Sequence, residues 1–120
     1  MKGDHPQRRL EERKRQTARE APALAEIARG SVVRRFLRCG QPGCACQKPG
    51  APGHGPYTYL VVTQAPGKTE STLLAPAQVP RVRRWTRNFK RLKRLLERIS
   101  QLNTQLIRLE RERLRRAGRR

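Results

Sequence analysis

The C-terminal third of the chain has the sequence pattern of one long helix, and this constrains the fold more than any other feature. The stretch 77–116 is rich in leucine and arginine, and Pro80 lies near its start, where a missing backbone N–H costs little. Gly118 is placed to end the helix. A helix of this length takes up about a third of the 120-residue chain and leaves room for one small further module.

Apolar residues recur along this predicted helix at heptad spacing and form a packing seam. Three heptads are near the lower limit for a coiled coil that stands alone. The seam therefore predicts either packing on another part of the same chain or a coiled-coil dimer, and a chain can use both. Its members are Trp85, Leu92, Leu95, Ile99, Leu102, Leu106 and Leu109, widened by Leu96 and Ile107.

The opposite side of the same helix carries a cationic stripe. Residues 76–120 contain sixteen lysines and arginines against three glutamates, so ion pairing within the helix cannot neutralise them. We interpret the stripe as an anion-binding face rather than an ordinary solvated surface. It consists of Arg83, Arg87, Lys90, Arg91, Arg94 and Arg98.

The charge of the whole chain points to the same kind of partner. Its net charge is +20 at pH 7, and self-repulsion of that size disfavours a compact protein without a polyanion nearby. Hydrophobic residues make up 35% of the chain and aromatic residues 4%, which predicts a small core. Nucleic acid, either DNA or RNA, is the expected partner.

The remainder of the chain predicts a second helix and a small sheet. Residues 7–28 have helical composition, with Pro22 as a point where the helix can split. Aromatic and β-branched residues predict strands at 31–39, 57–63 and 69–75. Pro66 and Gly67 fit the centre of a type II turn that joins the last two strands into a hairpin.

These elements define the predicted fold class and domain organisation. We expect an α+β protein in which a three-stranded antiparallel sheet with a zinc-knuckle-like Cys/His loop lies between an N-terminal helix and a long basic helix. The predicted segments are an N-terminal helical segment at 1–29, a small β module at 30–75 and the long amphipathic helix at 76–120.

All three cysteines lie in a glycine- and proline-rich stretch together with a histidine. Cys39, Cys44, Cys46 and His54 form the pattern C-x4-C-x-C-x7-H. Three thiolates and one imidazole are a common closed ligand set for a structural zinc ion, which makes zinc the favoured interpretation. A disulfide, a catalytic thiol with His54 as its base, and free structural cysteines are the alternatives.

Two tyrosines on the second predicted strand have two interpretations. Tyr57 and Tyr59 are two residues apart and so share one face of the strand. Aromatic side chains in that arrangement can stack on nucleic acid bases. They are more typical of a core, and we expect a core position here.

The residues of the β module also carry a resemblance to a family. Gly30-Ser31, Cys39-Gly40, Cys44, Cys46, the HGPY tetrapeptide from His54 to Tyr57, Gly67-Lys68 and Val79-Pro80 follow one another in a characteristic order. This order resembles a small uncharacterised prokaryotic family of unknown function whose members often lie near transposase genes. The resemblance covers residues 30–100 and implies a cytoplasmic accessory protein.

These observations favour a nucleic-acid-binding accessory protein that contacts phosphates through its basic helix. A coiled-coil scaffold is the first alternative, and a helix lying on an anionic membrane surface is another. We do not expect an enzyme, because no paired carboxylates and no open metal position are evident. We see no secretory signal and no stretch long enough to span a membrane, and therefore expect a cytoplasmic location.

Overall fold

The computed structural model describes residues 5–119 and confirms the predicted α+β class. Single turns of 3-10 helix lie at Leu24–Glu26, Ala45–Gln47 and Pro76–Gln78. No helix of the described residues is both long enough and apolar enough to cross a membrane. The main elements in chain order are α1 (Pro6–Arg19), β1 (Ser31–Leu37), β2 (His54–Ala65), β3 (Lys68–Leu73) and α2 (Val79–Gly118).

The three strands form one antiparallel sheet in the order β1-β2-β3. Its centre is the run of aromatic and β-branched residues in β2, which favours the pleated backbone. The turn between β2 and β3 lies at the predicted Pro66-Gly67 pair, and Gly67 has the positive φ of 77° that such a turn requires. A bulge between Thr63 and Ala65 adjusts the register just before this turn.

The N-terminal helix is shorter than the predicted 7–28. It begins at Pro6, where the ring nitrogen of His5 accepts a hydrogen bond from the backbone N–H of Gln7. It ends at Arg19, because Pro22 has no N–H for the helix and disfavours helical geometry in the residue before it.

The chain divides into two compact units. The first joins residues 5–24 and 90–119 of the described chain, and the second comprises Ala25–Phe89. The long helix α2 contributes to both units, because the division falls after its first eleven residues. Each unit has its own small set of buried side chains.

The first unit is a pair of antiparallel helices. Glu20 at the end of α1 lies 3.9 Å from Arg91, while the beginning of α1 lines a cleft with Gln105 and Leu109. The apolar side chains buried in this unit are those of Leu10 and Leu102. Since the unit contains only these two helices, the seam at Leu102 packs against α1 within the same chain.

Other members of the predicted seam are more accessible than Leu102. Leu109 is 39% exposed, and the marginal residues Leu96 and Ile107 are more than half exposed. Trp85 belongs to the second unit, where it is half-buried. A coiled-coil dimer through the exposed part of the seam stays a prediction. The half-buried members in the first unit are Leu92, Leu95, Ile99 and Leu106.

The second unit consists of the sheet, the connections around it and the beginning of α2. Its buried side chains are those of Cys46, Leu74, Val82 and Thr86. Backbone and side-chain hydrogen bonds tie the start of α2 to the segment before β1: Ala28 N–H donates to the Trp85 carbonyl, and the Asn88 side chain donates to the Glu26 carbonyl. The sheet and the start of α2 therefore belong to one compact unit.

Truncation of the buried seam residue tests this packing. Leu102 is 5% exposed, so Leu102→Ala leaves a cavity between the two helices and lowers the free energy of unfolding by about 2 to 5 kcal/mol. Ile107 is 63% exposed on the same helix, and Ile107→Ala is the matched control, with an expected change of about 0.5 kcal/mol. Urea unfolding followed by circular dichroism measures both; equal losses would contradict the packing described.

Candidate metal centre

The structure brings together the four residues that the sequence pattern selected. One ligand atom from each of Cys39, Cys44, Cys46 and His54, a thiol sulfur or a ring nitrogen, lies within 4.8 Å of the other three. The four residues, called the Cys/His cluster below, are the donors that soft and borderline metal ions prefer. The cluster is therefore a candidate metal site.

The pairing of β1 with β2 explains how the first and last members meet. Leu37 at the end of β1 pairs with His54 at the beginning of β2. Cys39 follows Leu37 by two residues and thus lies beside His54 although fifteen positions separate them in the chain. A bulge between Arg35 and Leu37 shifts the register at this end of the sheet.

The other two cysteines come from a single turn inside the connection 38–53. Cys44 precedes the 3-10 turn Ala45–Gln47, and Cys46 lies within it. Gly43, with a φ of 82°, reverses the chain just before Cys44, and the Cys44 N–H donates to the Gln41 carbonyl. The tight Cys-x-Cys spacing is accommodated because the turn directs both side chains to the same place.

Two close contacts define the geometry of the cluster. The sulfur atoms of Cys39 and Cys46 are 3.3 Å apart, and the Cys44 sulfur is 3.3 Å from Nε2 of His54. A disulfide needs a sulfur–sulfur bond of about 2.05 Å, so the Cys39–Cys46 contact is non-bonded. All three cysteines are free thiols, and the disulfide alternative is absent from the described residues 5–119.

Hydrogen bonds from the backbone and from Gln47 hold the cysteines in place. The backbone N–H of Cys39 donates to the sulfur of Cys46 at 3.3 Å. The side-chain amide of Gln47 donates to the Cys39 carbonyl and, at 3.9 Å, to the Cys46 sulfur. Gln47 has no recognisable signal in the sequence apart from its place next to Cys46.

The surroundings of Cys39 lower the pKa of its thiol. A backbone hydrogen bond from Gln41, together with contacts from Cys46, His54 and Cys44, lowers the pKa of Cys39 to about 6. Cys39 is therefore mostly thiolate at pH 7, and the thiolate is the form that binds metals. The hydrogen bond from the Cys39 backbone N–H lowers the pKa of Cys46, but burial, the side chains of Cys39 and Cys44 and the negative charge of the Cys39 thiolate outweigh it, so this pKa is raised.

The predicted nucleic-acid-binding residues lie on α2, outside this cluster. Arg83 and Arg87 belong to the second unit, and the remaining four lie in the first. All six side chains are exposed, as the predicted cationic stripe requires. Within residues 5–119, Arg91 is the one member with a carboxylate nearby, at 3.9 Å from Glu20. The four in the first unit are Lys90, Arg91, Arg94 and Arg98.

Two glycines in the connection 38–53 provide a matched pair of variants. They test whether the close approach of this connection to β1 positions the cluster. Gly50 and Gly53 both have a positive φ, of 81° and 90°. A Cβ at Gly53 would lie 2.9 Å from the Leu37 carbonyl oxygen, whereas one at Gly50 meets nothing within 4 Å. Both Gly→Ala changes incur the left-handed penalty of about 1 kcal/mol, and only Gly53→Ala also separates β1 from β2.

We therefore expect Gly53→Ala to lower the urea midpoint clearly more than Gly50→Ala. It should also weaken metal binding by the cluster, because His54 is displaced from Cys39. The measurement is urea unfolding of both variants with and without added metal. Equal effects would show that the close approach at Gly53 does not position His54.

Comparison with known proteins places the chain in a family. A family model described as a domain of unknown function (DUF6788) matches residues 7–84. The match includes α1, the sheet and the Cys/His cluster, so it begins and ends earlier than the residues 30–100 that carry the resemblance noted from the sequence. No curated protein and no solved structure matches the chain. Because the match covers well over half of its length, the chain belongs to the DUF6788 family of unknown function.

Proposed function

We propose that this protein binds nucleic acid, with a β module held together by a structural zinc ion and a basic helix that contacts phosphates. The observation that carries the proposal is the cationic stripe, six exposed lysine and arginine side chains on one long helix. Arginine suits this role because its planar guanidinium group makes two hydrogen bonds to one phosphate. Phosphate contacts of this kind give affinity without sequence selectivity.

The charge balance around the stripe supports phosphate binding. Arg94 and Arg98 are one helical turn apart and exposed, and no carboxylate within the described chain lies within ion-pairing distance of either. The one weak pair, Arg91 with Glu20, has both side chains more than half exposed and contributes little. A row of unneutralised cations attracts a polyanion and releases its counterions on contact.

The donor set and spacing of the Cys/His cluster support zinc. With Zn–S bonds of about 2.3 Å and a Zn–N bond of about 2.0 Å, the edges of a zinc tetrahedron are roughly 3.5 to 3.8 Å long. The sulfur–nitrogen contact of 3.3 Å is close to such an edge, the sulfur–sulfur contact of 3.3 Å is somewhat shorter, and all four ligand atoms lie within 4.8 Å of one another. Four protein ligands leave no position for substrate, so the role of the zinc is structural.

A structural zinc is also consistent with the long connection between β1 and β2. The connection 38–53 contains only turns and one single turn of 3-10 helix, with no strand or α-helix. Irregular connections of this length are uncommon in compact domains unless something organises them. Metal binding contributes directly to folding free energy, and here it would order the connection that the small core leaves unsupported.

The cellular setting is proposed from the resemblance noted in the sequence. Relatives near transposase genes suggest an accessory role in the DNA transactions of mobile elements, in the cytoplasm. The family match ends at Arg84, so the greater part of the stripe lies beyond it. Phosphate contact through α2 is thus proposed for this chain and not for the whole family.

A scaffold function is the second candidate, and one observation favours it. Leu96, Ile107 and Leu114 are each about 60% exposed, and at ~100° per residue they lie within about 20° of one another around α2. An apolar edge of this kind suits a partner helix. In that case the stripe would only maintain solubility, and nucleic acid affinity would be weak and insensitive to the form of the nucleic acid.

The two histidines of the chain provide a matched test of zinc binding. Protein purified with zinc should hold one ion per chain by elemental analysis. His54→Gln removes a ligand and should lower zinc affinity by at least about tenfold. His5→Gln changes the N-cap of α1 instead and should leave the zinc content unchanged. Metal-free wild-type protein with unaltered thermal stability would contradict the zinc assignment.

Charge-matched variants test the stripe. For duplex DNA, log affinity should fall steeply with log salt, and Arg94→Gln with Arg98→Gln should reduce this slope by about 0.9 for each lost contact. Arg111→Gln with Arg113→Gln removes the same charge from other faces of α2 and should change the slope much less. Anisotropy titrations over a range of salt concentrations measure both pairs. A flat salt dependence, or equal changes for the two pairs, would overturn the proposal.

A further inference from the structure

One face of the sheet has an unusual composition for a surface. Pairing places Val33 opposite Tyr59 and Tyr59 opposite Leu73, while Arg35 lies opposite Tyr57. Paired residues point to the same side of a sheet, and alternate residues of a strand share a face. These five side chains therefore project from one side, called the outer face below.

The outer face is partly open: Arg35, Tyr57 and Leu73 are exposed, while Val33 and Tyr59 are half-buried. Leu73 is 57% exposed and Tyr57 is 39% exposed. Leu74, which follows β3 directly, is 7% exposed, and its backbone N–H donates to the Thr58 carbonyl. An antiparallel sheet usually presents polar residues on its solvated face, so exposed aromatic and aliphatic side chains there indicate a binding surface.

The charge of the outer face selects the kind of ligand. The guanidinium group of Arg35 lies over the ring of Tyr59, 5.6 Å from its centre. Glu70 is the only carboxylate of the three strands, and its pairing with Val62 places it on the opposite side of the sheet. A ligand for the outer face must therefore offer flat or apolar groups for the rings and negative charge for the arginine.

We propose that the outer face binds unpaired bases of a single-stranded nucleic acid, with Tyr57 as the main stacking surface and Arg35 beside it for the phosphate backbone. Stacking on tyrosine requires a base whose flat side is free, which a duplex does not present along its length. This inference rests on the proposed nucleic acid binding and adds the form of the substrate to it.

A second copy of the chain fits the same face less well. In a symmetric dimer the same patch meets itself, which would bring two Arg35 side chains together in an interface that holds no carboxylate. Two chains of net charge +20 also repel each other. Single-stranded nucleic acid, by contrast, satisfies both the rings and the arginine.

The experiment combines a protein variant with a modified oligonucleotide. Zinc-loaded wild-type protein and Tyr57→Leu are titrated by anisotropy, at one salt concentration, with an oligothymidylate, the same oligonucleotide with abasic sites, and a duplex. The abasic strand keeps the phosphates and removes the bases. We expect wild-type protein to bind the abasic strand between about fivefold and a hundredfold more weakly for each stacked base lost.

Tyr57→Leu should remove most of this difference between the normal and abasic strands and leave duplex affinity unchanged. Tyr57→Phe keeps the ring and should behave as wild-type, which separates stacking from any effect of the hydroxyl group. A general loss of folding would lower binding to all three nucleic acids, whereas only stacking couples Tyr57 to the presence of a base. The wild-type comparison of normal and abasic strands needs no variant at all.

Each contrary result has its own meaning. Equal wild-type affinity for the normal and abasic strands overturns the stacking proposal, even if duplex binding and its salt dependence hold. No nucleic acid binding overturns the proposed function and this inference together. A change of sedimentation mass in Tyr57→Leu without a change in base discrimination overturns it as well, and identifies the outer face as a contact between copies.

Discussion

The antiparallel pairing of Leu37 with His54 is the contact on which the second unit depends. It joins the two ends of the connection 38–53 and puts the first and last members of the Cys/His cluster side by side. Closing a loop of this length costs conformational entropy that the few ladder hydrogen bonds at the end of a sheet barely offset. A metal ion bound to all four side chains would supply the missing free energy at the point where the loop closes.

The pairing of Leu37 with His54 is important because the hydrophobic core is small. Among the described residues the buried apolar side chains are those of Leu10, Cys46, Leu74, Val82 and Leu102, and they are divided between two units. Domains with so little buried surface usually rely on a metal, a disulfide or a partner. The three cysteines are unpaired, and one of the few buried side chains, Cys46, is itself a ligand of the candidate site. Metal binding at this site would therefore be part of core formation in this unit.

Sequence patterns predicted most of the fold because the strongest signals are local. The heptad spacing of α2, the β-branched run of β2 and the Pro66-Gly67 turn each act within a few residues, and the spacing of cysteines and histidine selected the cluster. The start of β2 was harder to predict. Residues 54–56 have the composition of a loop, with Gly55 at a φ of 121°, yet pairing with β1 makes them strand. Pairing with a distant strand overrides the local preference of these residues, and a short window of sequence does not include both strands.

The expected core position was wrong for Tyr57, which is exposed, whereas Tyr59 is half-buried. Alternation in β2 shows which residues share a face, but it does not show which face is covered. Tyr57 is 39% exposed and Tyr59 is half-buried, although the two side chains share a face. Arg35 meets Tyr59 across two strands, a contact fixed by register rather than by anything local in the sequence.

The position of Tyr57 also connects the candidate metal site with the proposed stacking surface. His54 and Tyr57 belong to the same strand, three residues apart, and the hydrogen-bonded ladder to β1 runs through both. A ligand bond at His54 would hold the beginning of that strand and therefore the backbone from which Tyr57 projects. The cationic stripe has a different support, since its residues follow one another along a helix whose backbone bonds are local. Base stacking would then depend on the metal and phosphate attraction would not, so the two contributions to binding are physically separable.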